Sequence, residues 1–133
     1  IDVKDMQIDS IVSISALEHN DHKIFKQLVD KLLGILVPGG KLVITVQATK
    51  EKDWFDPYSK GWSYSLDSIL NLFSLDKETK SNFDQYDNIL DQIKNSQLLK
   101  SLLPYQYKFS NKNGMPWGKW QPRYVPVGIV ITK

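Results

Sequence analysis

Glu18, His19 and His22 place one carboxylate and both histidines of the chain within the short stretch "SISALEHNDH", residues 13–22. A carboxylate beside an imidazole can take up and release protons near neutral pH, the chemistry of a general base or of a contact to a polar substrate. Glu18 and His19 are therefore the candidate catalytic pair. The alternative is a polar pair that caps or orients the helix that follows. Too few oxygen ligands cluster here for a hard cation, so no metal site is expected. His22 falls where a helix should begin and is expected to be solvated.

The elements that must hold these side chains can be read from hydrophobic spacing. Residues 8–17 are β-branched and nearly continuously apolar, the pattern of a strand buried on both faces. Asn20 or Asp21 is placed to cap the next element. Apolar residues at 24, 25, 28, 29, 32, 35 and 36 give a helix over 22–37, with Lys23, Lys26, Asp30 and Lys31 toward water. "VPGG" then stops the helix and turns the chain, because Pro38 cannot continue it and Gly39 and Gly40 bend at little steric cost. "KLVITVQA", residues 41–48, is a second buried strand. Strand, helix, turn and strand make a βαβ unit with parallel strands and a right-handed crossover, which sets the class as α/β.

Residues 49–65 read as an aromatic loop broken by Pro and Gly. Ser65 caps a short helix carrying Leu66, Ile69, Leu70 and Phe73. Residues 76–103 read as helical, with Phe83, Tyr86, Leu90 and Ile93 on one stripe. "YQYKFS" (105–110) alternates as a half-buried strand, and "VGIVITK" (127–133) is a last strand with Pro126 at or before its start. These two late strands are expected to pair antiparallel across the loop at 111–124.

At 133 residues the chain suits one domain with a real core. A net charge of +2 gives no strong pull toward nucleic acid or an anionic membrane, and no apolar run is long enough to span a bilayer. The absence of cysteine excludes disulfides and fits a reducing, cytoplasmic setting. The chain opens at Ile1 rather than Met, as expected of a piece of a longer protein.

"DSIVSISALEH", an amphipathic helix, and "LLGILVPGGKLVITV" together resemble the second half of a class I S-adenosylmethionine-dependent methyltransferase. The elements that carry the resemblance are Asp9, Glu18-His19, and the turn from Leu36 through Pro38-Gly39-Gly40 to Leu42. The resemblance implies a Rossmann-like sheet whose parallel βαβ part and antiparallel terminal hairpin are present and whose amino-terminal strands are absent. Residues 1–133 are then one partial methyltransferase domain, with 49–65 and 76–103 as variable parts.

The same resemblance implies S-adenosyl-L-methionine as cofactor, with Ile14 and Ser15 near its methionine end. Some members of the family hold a divalent metal with E-x-x-E-H at this place. Here Ser15 stands where the first acid would be, so no metal is implied. The aromatic loop implies Trp54, Tyr58 and Trp62 as acceptor contacts, and Trp117 and Arg123 as the opposite wall. Their alternatives are packing on the late helix and a surface hairpin folded on itself. The Gly-rich loop and ribose-binding acid of the family have no counterpart among the seven glycines, so the isolated chain should bind the cofactor weakly. The implied function is methyl transfer to a small-molecule acceptor, this chain supplying the acceptor-side half. The alternative is a non-catalytic remnant or interaction domain that pairs with a partner through an exposed sheet edge. A nucleotide-binding domain of another family would need a phosphate loop that the sequence lacks. Aromatic and basic residues near the end also suit single-stranded nucleic acid, but the Lys and Arg are spread out and balanced by acids.

Overall fold

The computed structural model describes residues 6–56, 59–75, 81–102 and 124–133. Strand β1 (Ile8–Ile14), a 3-10 turn (Leu17–His19), helix α1 (His22–Ile35) and strand β2 (Leu36–Ala48) come first. Short strands β3 (Trp54–Asp56) and β4 (Gly61–Ser63) and helix α2 (Leu66–Leu72) follow. A 3-10 turn (Asn82–Gln85), helices α3 (Tyr86–Asn95) and α4 (Gln97–Ser101), and strand β5 (Val125–Thr132) complete the described elements. The main sheet has the order β1-β2-β5. β1 runs parallel to β2, with Ile11 beside Leu42 and Ser13 beside Ile44, and β5 runs antiparallel to β2. The architecture is therefore mixed α/β with a mixed sheet, and the expected parallel βαβ unit is present.

The two faces of this sheet differ. Leu42, Ile44, Val46 and Ala48 of β2 stand opposite Ile131, Ile129, Val127 and Val125 of β5. This face, with Phe25 and Val29 of α1 and with Ile69, Leu72 and Phe73, forms the core. On the other face Val12 is 64% exposed, Ile14 61% and Val130 53%. The expectation that the first strand is buried on both faces is thus corrected: one face of β1 packs and the other is bare. The strand also ends at Ile14, not Leu17. Ser15 takes φ 45°, outside the extended region, and its amide turns back to the Thr45 carbonyl at 3.2 Å and the Thr45 Oγ1 at 3.1 Å.

Asp21 caps α1, its Oδ1 accepting from the Ile24 amide at 2.8 Å. The helix ends at Ile35 rather than Val37, because Pro38 biases the residue before it toward extended backbone and the chain passes directly into β2. The Lys133 ammonium donates to the carbonyls of Gly34 (2.8 Å) and Leu36 (2.6 Å), placing a cation on the negative end of the helix.

Pro38-Gly39-Gly40 is not the expected turn between helix and strand. It is a bulge inside β2. Ile8 pairs with Leu36 and Ser10 with Lys41, so Asp9 alone lies opposite four residues, 37–40. Gly39 takes φ 79°, and its amide donates to the Lys133 carbonyl at 2.9 Å. At Gly40 a Cβ would lie 2.9 Å from the Val37 carbonyl oxygen and 3.1 Å from that of Asp9. Glycine is needed at 39 for conformation and at 40 for space.

The 49–65 stretch was expected to be irregular and instead contains the β3–β4 hairpin, with Phe55 opposite Trp62 and Trp54 opposite Ser63. Strands of three residues are too short to show a period. Ser65 caps α2, as expected, by accepting from the Ser68 amide. The late helical block is divided at Ser96, whose hydroxyl starts α4 by accepting from the Leu99 amide at 3.2 Å. Asn82 ties this block to the sheet, its Oδ1 accepting from the Gly128 amide at 2.7 Å. β5 begins at Val125, with the exposed Pro126 opposite Gln47. The strand expected at 105–110, and with it the late hairpin, lies outside the described residues.

Gly40→Ala is expected to cost about 1–3 kcal/mol through overpacking against backbone. Gly39→Ala should cost about 1–2 kcal/mol through its left-handed conformation. Urea unfolding midpoints of the two variants check both values.

Candidate functional site

The carboxyl-end tips of β1 and β2 lie side by side because the strands are parallel. The chain leaves β1 at Ser15, enters the 3-10 turn, and carries Glu18 and His19 beside the tip of β2. The β3–β4 hairpin folds back over the same place. The Tyr64 amide donates to the Gln47 carbonyl and the Thr49 amide to the Tyr64 carbonyl, each at 2.9 Å. Ser63 Oγ donates to Gln47 Oε1 at 3.3 Å.

Glu18 is fully buried, at 0% exposure. Among the described residues neither carboxyl oxygen has a hydrogen-bond partner. Burial pushes its pKa up, and its own backbone amide, His19 and the nearby Ser15 hydroxyl draw it back only in part. The carboxyl also acts on its surroundings. Tyr64 is raised first by its own burial and then by the charges of Glu18, Asp53 and Asp21. Tyr124 is raised by burial, then by Asp56 and Glu18. Buried Asp56 accepts from Ser59 Oγ at 2.9 Å. Two acidic groups thus act on one phenol near the strand tips.

His19 is exposed, and its Nδ1 lies 3.1 Å from the Lys60 carbonyl oxygen. A carbonyl only accepts, so Nδ1 carries the hydrogen, and in the neutral ring Nε2 holds a free lone pair. That nitrogen can take a proton from a bound group.

His22 opens α1, as the sequence led us to expect, but it is half-buried and bonded rather than simply solvated. Its Nε2 lies 2.7 Å from Asp53 Oδ2, and its ring meets Trp62 and Tyr64 edge-on at centroid distances of 4.8 and 5.1 Å. Asp53 also accepts from the Ser65 amide (2.7 Å, Oδ1) and the Ser68 hydroxyl (2.6 Å, Oδ2). Burial pushes the Asp53 carboxyl up, but these donors together outweigh it and hold it below the usual carboxylate range. This cluster was missed by sequence reasoning. Its members are 31 or more residues from His22, and no local pattern links them.

The remaining candidates are distributed as follows. Ile14 is exposed on the bare face of the sheet, and Ser15 sits at the turn beside Thr45. Trp54 and Trp62 fall on opposite faces of the β3–β4 hairpin, because Trp54 is opposite Ser63 while Trp62 pairs with Phe55. The rings of Phe55 and Trp62 meet at 5.3 Å. Tyr58, Trp117 and Arg123 lie outside the described residues. Among the described residues no group of three or more His, Cys, Asp or Glu could hold a metal, and no helix is long and apolar enough to cross a membrane.

No family model matches the sequence, and no curated protein matches it. Among solved structures the chain is similar to that of the [4+2]-cyclase SpnF, with a TM-score of 0.61 and 12% identity. The similarity covers 100% of this chain and 54% of that one, so this chain spans about half the length of that structure. At this identity the likeness defines the fold alone, a methyltransferase-like one.

The folded-state pKa of Glu18 lies above its unfolded value. Its contribution to stability is therefore complete below the unfolded pKa and is lost as pH rises through the folded one. The stability of Glu18→Gln relative to the natural chain should accordingly increase with pH across that window, in urea titrations at a series of pH values. Asp53 has the opposite sign, because its folded pKa is lowered. Asp53→Asn should cost about 1.5–3 kcal/mol near neutral pH, as expected for hydrogen bonds to a charged group. That cost should shrink as pH falls through the carboxyl's folded pKa.

Proposed function

We propose that this chain is the acceptor-side half of an S-adenosylmethionine-dependent methyltransferase domain, and that the domain moves a methyl group onto a small-molecule acceptor. The observation that carries this reading is the pair of parallel strand tips at β1 and β2, with Glu18 and His19 beside them. The methyltransferase-like fold of the structural neighbour supports it. That neighbour is named for a cyclisation, so the fold does not select methyl transfer. The selection rests on the resemblance of residues 9–42 and on the acid and imidazole at the strand tip.

The chain's own residues fit one wall of a cofactor site and not a pocket. Exposed Ile14 offers an apolar surface, and the Ser15 hydroxyl stands at the turn beside it. No glycine-rich loop follows β1 or β2 to let a backbone approach the cofactor. When bound, S-adenosylmethionine supplies an electrophilic methyl group. The part of this chain is to orient the acceptor and to receive its proton, at His19 Nε2 or at the Glu18 carboxyl.

A second reading, an interaction domain, is favoured by the outer edge of β1, which is unpaired among the described residues, and by the exposed Val12 and Ile14 of that strand. Such an edge is a template for pairing with another chain.

Calorimetry with S-adenosylhomocysteine separates the two. The 133-residue chain should bind more weakly than about 1 mM, and a chain extended at its amino end should bind at about micromolar levels. Binding by neither would sink the methyltransferase reading.

A further inference from the structure

A fully buried carboxyl whose two oxygens lack any hydrogen-bond partner is rare in native proteins. The group forgoes its bonds to water, and among the described residues only the pull of its own backbone amide, His19 and the nearby Ser15 hydroxyl offsets part of that loss. Such a group is explained by something that completes it. Among the described residues no ion pair engages Glu18. His19, the adjacent cation when protonated, turns its Nδ1 to the Lys60 carbonyl instead. The setting of Glu18 is acidic and aromatic: Asp56 is buried close enough to act on the same Tyr124 phenol, and Tyr64 lies within reach of the Glu18 charge.

We propose that Glu18 is the anchor of a binding site for a protonated amine, so that the methyl acceptor is an amine. The proposal rests on the methyl-transfer reading for the word "acceptor" and on the unpartnered carboxyl for the word "amine". An ammonium group brings several N–H donors and a positive charge, which can satisfy both Glu18 oxygens at once. An alcohol brings one donor and no charge. A carboxylate or phosphate would be repelled.

Once the ammonium is seated, transfer of one of its protons to the Glu18 carboxylate leaves a neutral nitrogen with a lone pair and a neutral carboxylic acid. A lone pair is what alkylation of nitrogen needs.

The test uses the full 133-residue chain labelled with carbon-13 at the glutamate carboxyls and the tyrosine rings, with benzylammonium, benzyl alcohol and benzoate as probes. Benzylammonium should shift the Glu18, Tyr64 and Tyr124 resonances saturably and lower the titration midpoint of Glu18. It should bind at least about tenfold more tightly than benzyl alcohol, and benzoate should not bind. Glu18→Gln should weaken benzylammonium binding by about tenfold or more, and Asp56→Asn by a smaller factor.

Equal affinity for the alcohol, or a Glu18 midpoint unmoved at saturating benzylammonium, overturns the proposal. The midpoint is read in the natural chain, so the test stands even where a variant fails to fold. Ammonium binding in a chain whose longer form does not bind S-adenosylhomocysteine would sink the methyl-transfer reading and leave the amine site standing. S-adenosylhomocysteine binding without any ammonium response would do the reverse.

Discussion

The hydrogen-bonded ladder on both sides of β2 is the constraint on which the rest of the structure depends. β1 reads it in parallel from Ser10 to Ile14, and β5 reads it antiparallel from Val125 to Thr132. Because side chains alternate along a strand, this double pairing decides at once which residues of three strands enter the core. It also sets the turn bearing Glu18 beside the tip of β2, where the hairpin and Tyr64 can reach it. Remove the parallel half of the ladder and the acidic site has no floor.

Much of this was legible in the sequence because it follows from short-range rules. The run of β-branched residues, the 3.6-residue spacing of Phe25, Leu28, Val29 and Leu32, and the capping aspartate at 21 all describe local physics. The parallel pairing followed from the crossover helix between two strands. Misreadings came where a long-range contact overrode a local signal. Pro38-Gly39-Gly40 carries every local mark of a turn, yet Lys133 receives Gly39 and returns a bond to Gly40, and the turn is absorbed into the sheet. β1 looked buried on both faces because its composition is apolar on both, but only one face is covered by the described residues.

The site divides along the same line. Glu18 and His19 stood out by type and spacing, and the structure sets them beside the strand tips. What the sequence could not reveal was their contrast: the acid sealed from solvent, the imidazole outside with its Nδ1 committed to a carbonyl. The His22–Asp53 cluster was invisible for a related reason. Asp53 gathers donors from His22, Ser65 and Ser68, which meet only after the chain has passed through β2 and the hairpin. Its worth is mechanical, since it locks the start of α1 to the start of α2, and Trp62 closes over the imidazole from the hairpin side. The two polar groups are thus distinguished by their bonding. Asp53 gathers three donors and holds two helices together, whereas among the described residues neither oxygen of the buried Glu18 carboxyl has a hydrogen-bond partner.

The bulge at 37–40 has a consequence for assembly fidelity. A strand can slide by two residues past its neighbour and still present the same side chains inward, so alternation alone does not forbid that error. Here Asp9 sits against the pucker at Gly40, and a shifted β1 would drive a side-chain-bearing position or a different carbonyl into that notch. The irregularity acts as a keyway: one alignment of the two parallel strands seats, and its nearest competitors jam.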